Sequence, residues 1–174
     1  TMGPLWDFNL SFGNANYCNG YEYQGWQMYQ GCGDGSSYWI NKMLQDSWFK
    51  NLLSCRYQQL RQGALSTNAL LARVDAYALQ LKDAAVRDST RWQTIGNWIW
   101  PNGWVASSWQ GELDSMKVWM THRMNWIDQN MFPSTTGCGN VAPLTLVPDE
   151  INFHSEESID GGDWYELYNY GYDL

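Results

Sequence analysis

The spacing of apolar residues changes twice along the chain. Trp6, Phe8, Leu10 and Phe12 alternate with Asp7, Asn9 and Ser11. That is the period of a short half-buried strand, and it puts Asp7 and Asn9 on one face. From Ser37 the spacing becomes helical. Trp39, Ile40, Met43 and Leu44 form a short stripe. Asp46 reads as an N-cap for a helix over 47–62 that turns Phe49, Leu52, Leu53, Tyr57 and Leu60 inward and stops at Gly63. Ser66 or Thr67 caps the next helix, which runs to about Arg87 on Leu70, Val74, Tyr77, Leu81 and Ala84. A tryptophan-rich connector over 92–106 holds the turn Pro101-Asn102-Gly103. Ser107 and Gln110 form a candidate capping box for a last long helix. Its stripe is Leu113, Met116, Met120, Met124, Ile127 and Met131. Three or four such helices pack as a helical domain, so the predicted fold class is mainly α with a short N-terminal strand.

The pattern changes again after Met131. Pro133 to Gly139 is a run of chain breakers and small polar residues, a helix stop followed by a linker. Loose alternation over Leu144–Phe153 and again over Trp164–Asn169 predicts two strands around the polar loop Ser155–Asp163. A lone hairpin is marginal in water, so further strands are expected beyond Leu174. The expected division is 1–132 helical, 133–145 linker and 146–174 the start of a β domain.

Charge sharpens that boundary. The chain carries 10 Lys and Arg against 18 Asp and Glu, a net −8. Residues 1–131 are neutral, and the whole excess lies in 132–174, which contains no Lys or Arg. A nucleic-acid binder needs clustered basic charge, and so does a polybasic membrane-surface protein. Neither class fits. There is no apolar run long enough to span a bilayer and no leader-like opening. The 12 Trp and 11 Tyr read either as large core rings or as an aromatic platform for carbohydrate. The helical spacing of most tryptophans favours the core.

Candidate chemistry is sparse. The four cysteines, Cys18, Cys32, Cys55 and Cys138, form no CxxC pair, and His122 and His154 stand far apart, which argues against zinc. Cys18 and Cys32 bracket a Gly/Tyr-rich loop and are the first disulfide candidates for an oxidising compartment. Cys55 is either buried and free or paired with Cys138. Asp34 suits a turn or helix cap better than a Ca²⁺ site. Glu156, Glu157, Asp160 and Asp163 lack EF-hand spacing and read as a solvated acidic loop, with Ca²⁺ as the alternative. Both His122 and His154 read as solvated rather than catalytic. No Gly-x-Ser-x-Gly element suggests a hydrolase, and Glu112 and Asp114 do not face each other on a helix.

Two stretches carry a family resemblance. Gly3-Pro4-Leu5-Trp6-Asp7-Phe8-Asn9-Leu10-Ser11-Phe12-Gly13-Asn14 resembles the G-P-x-W-D-F-D-x-x-F-G-N motif of the CotH family, spore-coat-protein-H-like atypical protein kinases. Features in the same order follow: Tyr38-Trp39, Arg56-Tyr57 to Arg61, Trp98 to Asn102, Glu112, Trp119, and Arg123 to Asp128. The series spans roughly 3–131. Leu146 to Ser155 with Gly162 to Asn169 looks like the first hairpin of a lamin-tail domain, an Ig-like sandwich.

The resemblance implies the C-terminal, helical lobe of a kinase-like fold in a secreted or cell-surface protein. It implies ATP with Mg²⁺ or Mn²⁺ as cofactor and a protein phosphoacceptor as partner. By resemblance Asp7 holds the metal that bridges the nucleotide phosphates. Asn9 stands where the family usually has Asp, so a neutral oxygen replaces a charged one. The resemblance assigns no catalytic acid or base here, because that residue and the nucleotide-gripping lobe lie upstream in family members. The chain alone is therefore expected to be inactive. The rival reading is a non-catalytic, Trp-rich surface or cellulosome-associated module that binds glycan or protein.

Overall fold

In the computed structural model, the described residues are 10–29, 37–135, 137–139, 146–152 and 164–169. The chain forms two compact units, one of them Phe8–Asn140. That unit is mainly helical, with α1 (Ser37–Met43), α2 (Ser47–Arg61), α3 (Thr67–Trp92) and α4 (Trp109–Asn130). A single 3₁₀ turn, Gln27–Tyr29, precedes them. In the other unit β1 (Leu146–Asn152) and β2 (Trp164–Asn169) pair antiparallel, Leu146 opposite Asn169 and Asn152 opposite Trp164. The register slips between Pro148 and Glu150. A proline that cannot donate to the ladder is tolerated at such an irregularity.

The helices start where short polar side chains can accept from free backbone N–H groups. Asp46 accepts from Phe49 N, Ser66 from Ala69 N and Ser108 from Gly111 N. The cap of α4 is therefore Ser108, not Ser107, and its third helical residue is Gly111, which has no side chain to reciprocate. Gln110 bonds Asp114 instead. Helix α3 runs five residues past the expected Arg87. Thr90 turns its hydroxyl back onto Val86 O, and the helix stops only at Gln93, which is left-handed with φ 51°. The strand expected over 6–12 falls mostly outside the described residues, and its described end is a turn.

Helix α4 is the centre of the unit. Leu113, Met120 and Met124 are buried on one stripe, joined in the core by Ala15, Leu44 and Cys55. Lys117 pairs with Asp75 and ties α4 to α3. The tryptophans do not build this core. None of the nine whose burial is described is buried, and Trp48, Trp92, Trp98, Trp100 and Trp109 are exposed. These exposed tryptophans cluster at helix ends and in the connector.

The segment after α4 lies along α2. Asn51, buried on α2, accepts from Ser134 Oγ at 2.8 Å and from Thr135 N at 3.0 Å. Cys55, one turn further on, is disulfide-bonded to Cys138. Cys18 is also disulfide-bonded, and its expected partner Cys32 lies outside the described residues.

Candidate functional site

The described end of the N-terminal motif is a tight turn. Asn14 N donates to Ser11 O at 3.4 Å, and the two residues between them have φ 59° (Phe12) and 85° (Gly13). Two consecutive left-handed residues make a type I′ turn, which favours glycine. Gly13 is buried, and a Cβ there would lie 2.7 Å from Cε2 of the Trp119 indole. The turn begins two residues after Asn9.

This turn is seated on a second one. Asn14 Oδ1 accepts from Gly103 N at 3.2 Å, and its Nδ2 donates to Asn102 Oδ1 at 3.3 Å. Asn16 N donates to Pro101 O at 2.8 Å. Gly103 is required by crowding: a Cβ there would sit 2.6 Å from Gly13 O. The second turn is in turn held to α4. Glu112 accepts from Trp104 Nε1 and from Ala106 N, both at 2.8 Å. Glu112 is thus an anchor.

Two further residues of α4 hold loops. Trp119 Nε1 donates to Tyr21 O at 2.8 Å. Arg123 donates to Tyr23 O at 2.8 Å and Gly25 O at 2.6 Å. Its guanidinium lies 4.9 Å from the Trp126 ring centre and 5.6 Å from that of Trp26. No described carboxylate pairs with it, and burial pushes its pKa down. Cation–π contact and carbonyl acceptors replace the missing counter-ion. His122 packs its ring against Tyr23 at 5.0 Å and is otherwise exposed.

At the far end of α4, Asp128 accepts from Tyr57 Oη at 2.6 Å and bidentately from Arg61, at 2.8 and 2.7 Å. Arg61 also donates to Leu65 O and Thr67 Oγ1, so four of its five N–H bonds are engaged. A hollow opens beside the pair, lined by Ser54, Tyr57, Gln58, Asp128 and Phe132. The charges at its floor neutralise each other, so it presents no free cation to a phosphate. The hydrogen bonds from Arg61 hold the Asp128 carboxyl below its usual range. Burial and the bond to Asp128 push the Tyr57 phenol up.

A depressed carboxyl contributes stability above its unfolded value and loses it as pH falls through the folded one. Asp128→Asn should therefore cost about 1 kcal/mol at pH 7, a typical ion-pair value for a pair this exposed. The deficit should shrink as the pH drops below about 4, where the carboxyl of the unfolded chain begins to take up its proton. Urea midpoints at pH 7 and pH 3 test this, and an equal deficit at both would remove the ion pair as its cause.

The expected metal residues Asp7 and Asn9 lie outside the described residues, as do Asp34, His154 and the acidic residues of 156–163. Among the described residues no group of His, Cys, Asp and Glu could hold a metal ion. No described helix is long and apolar enough to cross a membrane. The roles of Trp119, Arg123 and Asp128 were not legible as chemistry, although all three fall in the family-like series.

The described body of Phe8–Asn140 is mainly helical, and its class follows from the family comparison. The model of the CotH kinase protein family matches residues 1–127, so the chain belongs to that family. Neither the curated proteins nor the solved structures compared with the chain gave a match.

Proposed function

We propose that the chain is the helical part of a CotH-type protein kinase that uses ATP with Mg²⁺ or Mn²⁺ to phosphorylate extracellular or surface proteins. The observation that carries this reading is the family match over residues 1–127, with the Trp6-Asp7 motif inside it. In this reading residues 133–145 link the kinase part to a lamin-tail-like β domain that opens at 146. The disulfide between Cys55 and Cys138 supports an oxidising, extracellular setting.

Asp7 would hold the metal through its carboxylate, with Asn9 as a neutral oxygen ligand. Both are hard donors, which suits Mg²⁺ or Mn²⁺. The bound metal would neutralise charge that develops on the phosphate oxygens during transfer. The ordered turn at Phe12-Gly13, held through Asn14 by Asn102 and Gly103, supports this reading for the part of the motif that is described.

The test is label transfer from γ-labelled ATP to protein, with calorimetric binding of Mn²⁺-ATP, on the full-length natural protein. Transfer that disappears in Asp7→Ala is the expected result. Absence of both transfer and metal-dependent ATP binding would overturn the reading.

A further inference from the structure

Large rings gather around the turn over 96–106 and remain in water. Trp98 is 57% exposed and Trp100 68%. Tyr17 lies beside Trp100, ring centres 6.2 Å apart and planes within 20°. Tyr21 is close by: its Cβ would be 3.2 Å from a Cβ at Gly103. Tyr17 and Tyr21 are themselves exposed. Exposed rings scattered singly need no explanation, but four around one turn form a patch of the kind that marks an interaction site.

The patch is fixed before anything binds. Trp98 Nε1 donates to Asn102 O at 3.0 Å, which sets the ring's direction. Asn102 N donates to Ile99 O at 2.8 Å, and Gly96 N to Ala106 O at 3.0 Å. The turn is bound to residues 14–16 as described above. A partner would therefore meet ordered rings and lose little affinity to ordering them.

Charge selects the partner. No Asp, Glu, Lys or Arg occurs in residues 8–21 or 92–111. Among the described residues, two acids border these stretches: Glu112 has both carboxylate oxygens occupied by Trp104 and Ala106, and exposed Glu22 after Tyr21 adds only a negative charge, which also disfavours acidic polymers. The polar groups among the rings are amides, with Asn16 and Asn97 exposed. Nucleic acid and acidic polysaccharides require cations. A charged peptide would leave its charges without partners. A neutral sugar chain requires neither. Its ring C–H groups carry partial positive charge and stack on the electron-rich faces of Trp and Tyr, while its hydroxyls bond to amides.

We infer that the Trp98–Trp100 turn, with Tyr17 and Tyr21, is a binding surface for a neutral polysaccharide. This surface does not depend on the phosphoryl-transfer reading. It would hold the protein on a glycan matrix.

Affinity electrophoresis of the chain through gels containing xyloglucan, galactomannan, arabinoxylan or hydroxyethylcellulose tests the inference. Retardation by at least one is expected, weakened about tenfold in Trp100→Ala or Trp98→Ala. Trp92→Ala, an exposed ring beneath the Arg91 guanidinium, should bind as wild type. Melting curves that match wild type show that the variants fold. Three results would overturn the inference: no retardation by any polymer, retardation unchanged in both turn variants, or a concentration-dependent dimer that Trp100→Ala dissolves without any glycan binding.

Discussion

Replacing Cys55 and Cys138 together by alanine should lower the stability of the helical unit by about 4 kcal/mol. The bond closes a loop of 83 residues. In the chain-entropy account, loops between 15 and 100 residues are worth roughly 3–4.7 kcal/mol. A domain of this size holds only about 5–15 kcal/mol in total, so the loss is a large share. Alanine is the better probe at Cys55, because that position is buried and a serine hydroxyl would need a partner there. The loss should come mainly through the unfolded state, which opens further without the cross-link, so the urea m-value should rise as the midpoint falls. The segment after α4 would keep its two bonds to Asn51 at Ser134 and Thr135, and limited proteolysis should then cut beyond Thr135 before it cuts the helices. A midpoint change worth less than about 1 kcal/mol, with m unchanged, would show that the cross-link does not restrict the unfolded chain.

How far the sequence disclosed this arrangement depends on how local each feature is. Asp46 was legible because a cap needs one side chain and a backbone N–H three residues on, whereas Ser66 stayed one of two candidates beside Thr67. Ser108 was not legible, because two adjacent serines offer the same chemistry and only backbone geometry separates them. The end of α3 was misjudged because Asp88, Ser89 and Thr90 are weak helix formers, yet no breaker follows until Gln93 turns left-handed. The tryptophans misled for a different reason. Periodicity says which residues share a face and is silent on whether a neighbour covers that face. Arg123 was beyond local reasoning altogether, since it holds carbonyls about a hundred residues away in sequence. The Asp7 and Asn9 assignment rests on motif resemblance.

The family-like series also gains a physical meaning. Tyr57 and Arg61 meet Asp128, Glu112 holds Trp104 and Ala106, and Trp119 and Arg123 hold the loop over 21–25. Each spends its hydrogen-bonding capacity inside the body. The ordered pattern in the described residues is therefore largely that of a scaffold.

The scaffold is most sensitive at Gly13. Gly13→Ala should cost about 2–5 kcal/mol. The backbone there has φ 85°, where a Cβ costs roughly 1–2 kcal/mol. The added methyl would also fall on the indole of Trp119. Overpacking a fitted site costs roughly 1–3 kcal/mol more. Trp119 cannot yield without breaking its bond to Tyr21 O, and Gly13 cannot back away, because its carbonyl is packed against Gly103. Thermal unfolding should show a melting point lower by about 3 °C per kcal/mol lost for a unit of this size. Trp119→Leu in the Gly13→Ala background separates the two causes. It should recover the steric part and leave the backbone part, whereas alone it should destabilise by opening a void. A Gly13→Ala melting point within about 1 °C of wild type would mean that the turn and the indole are not packed as described.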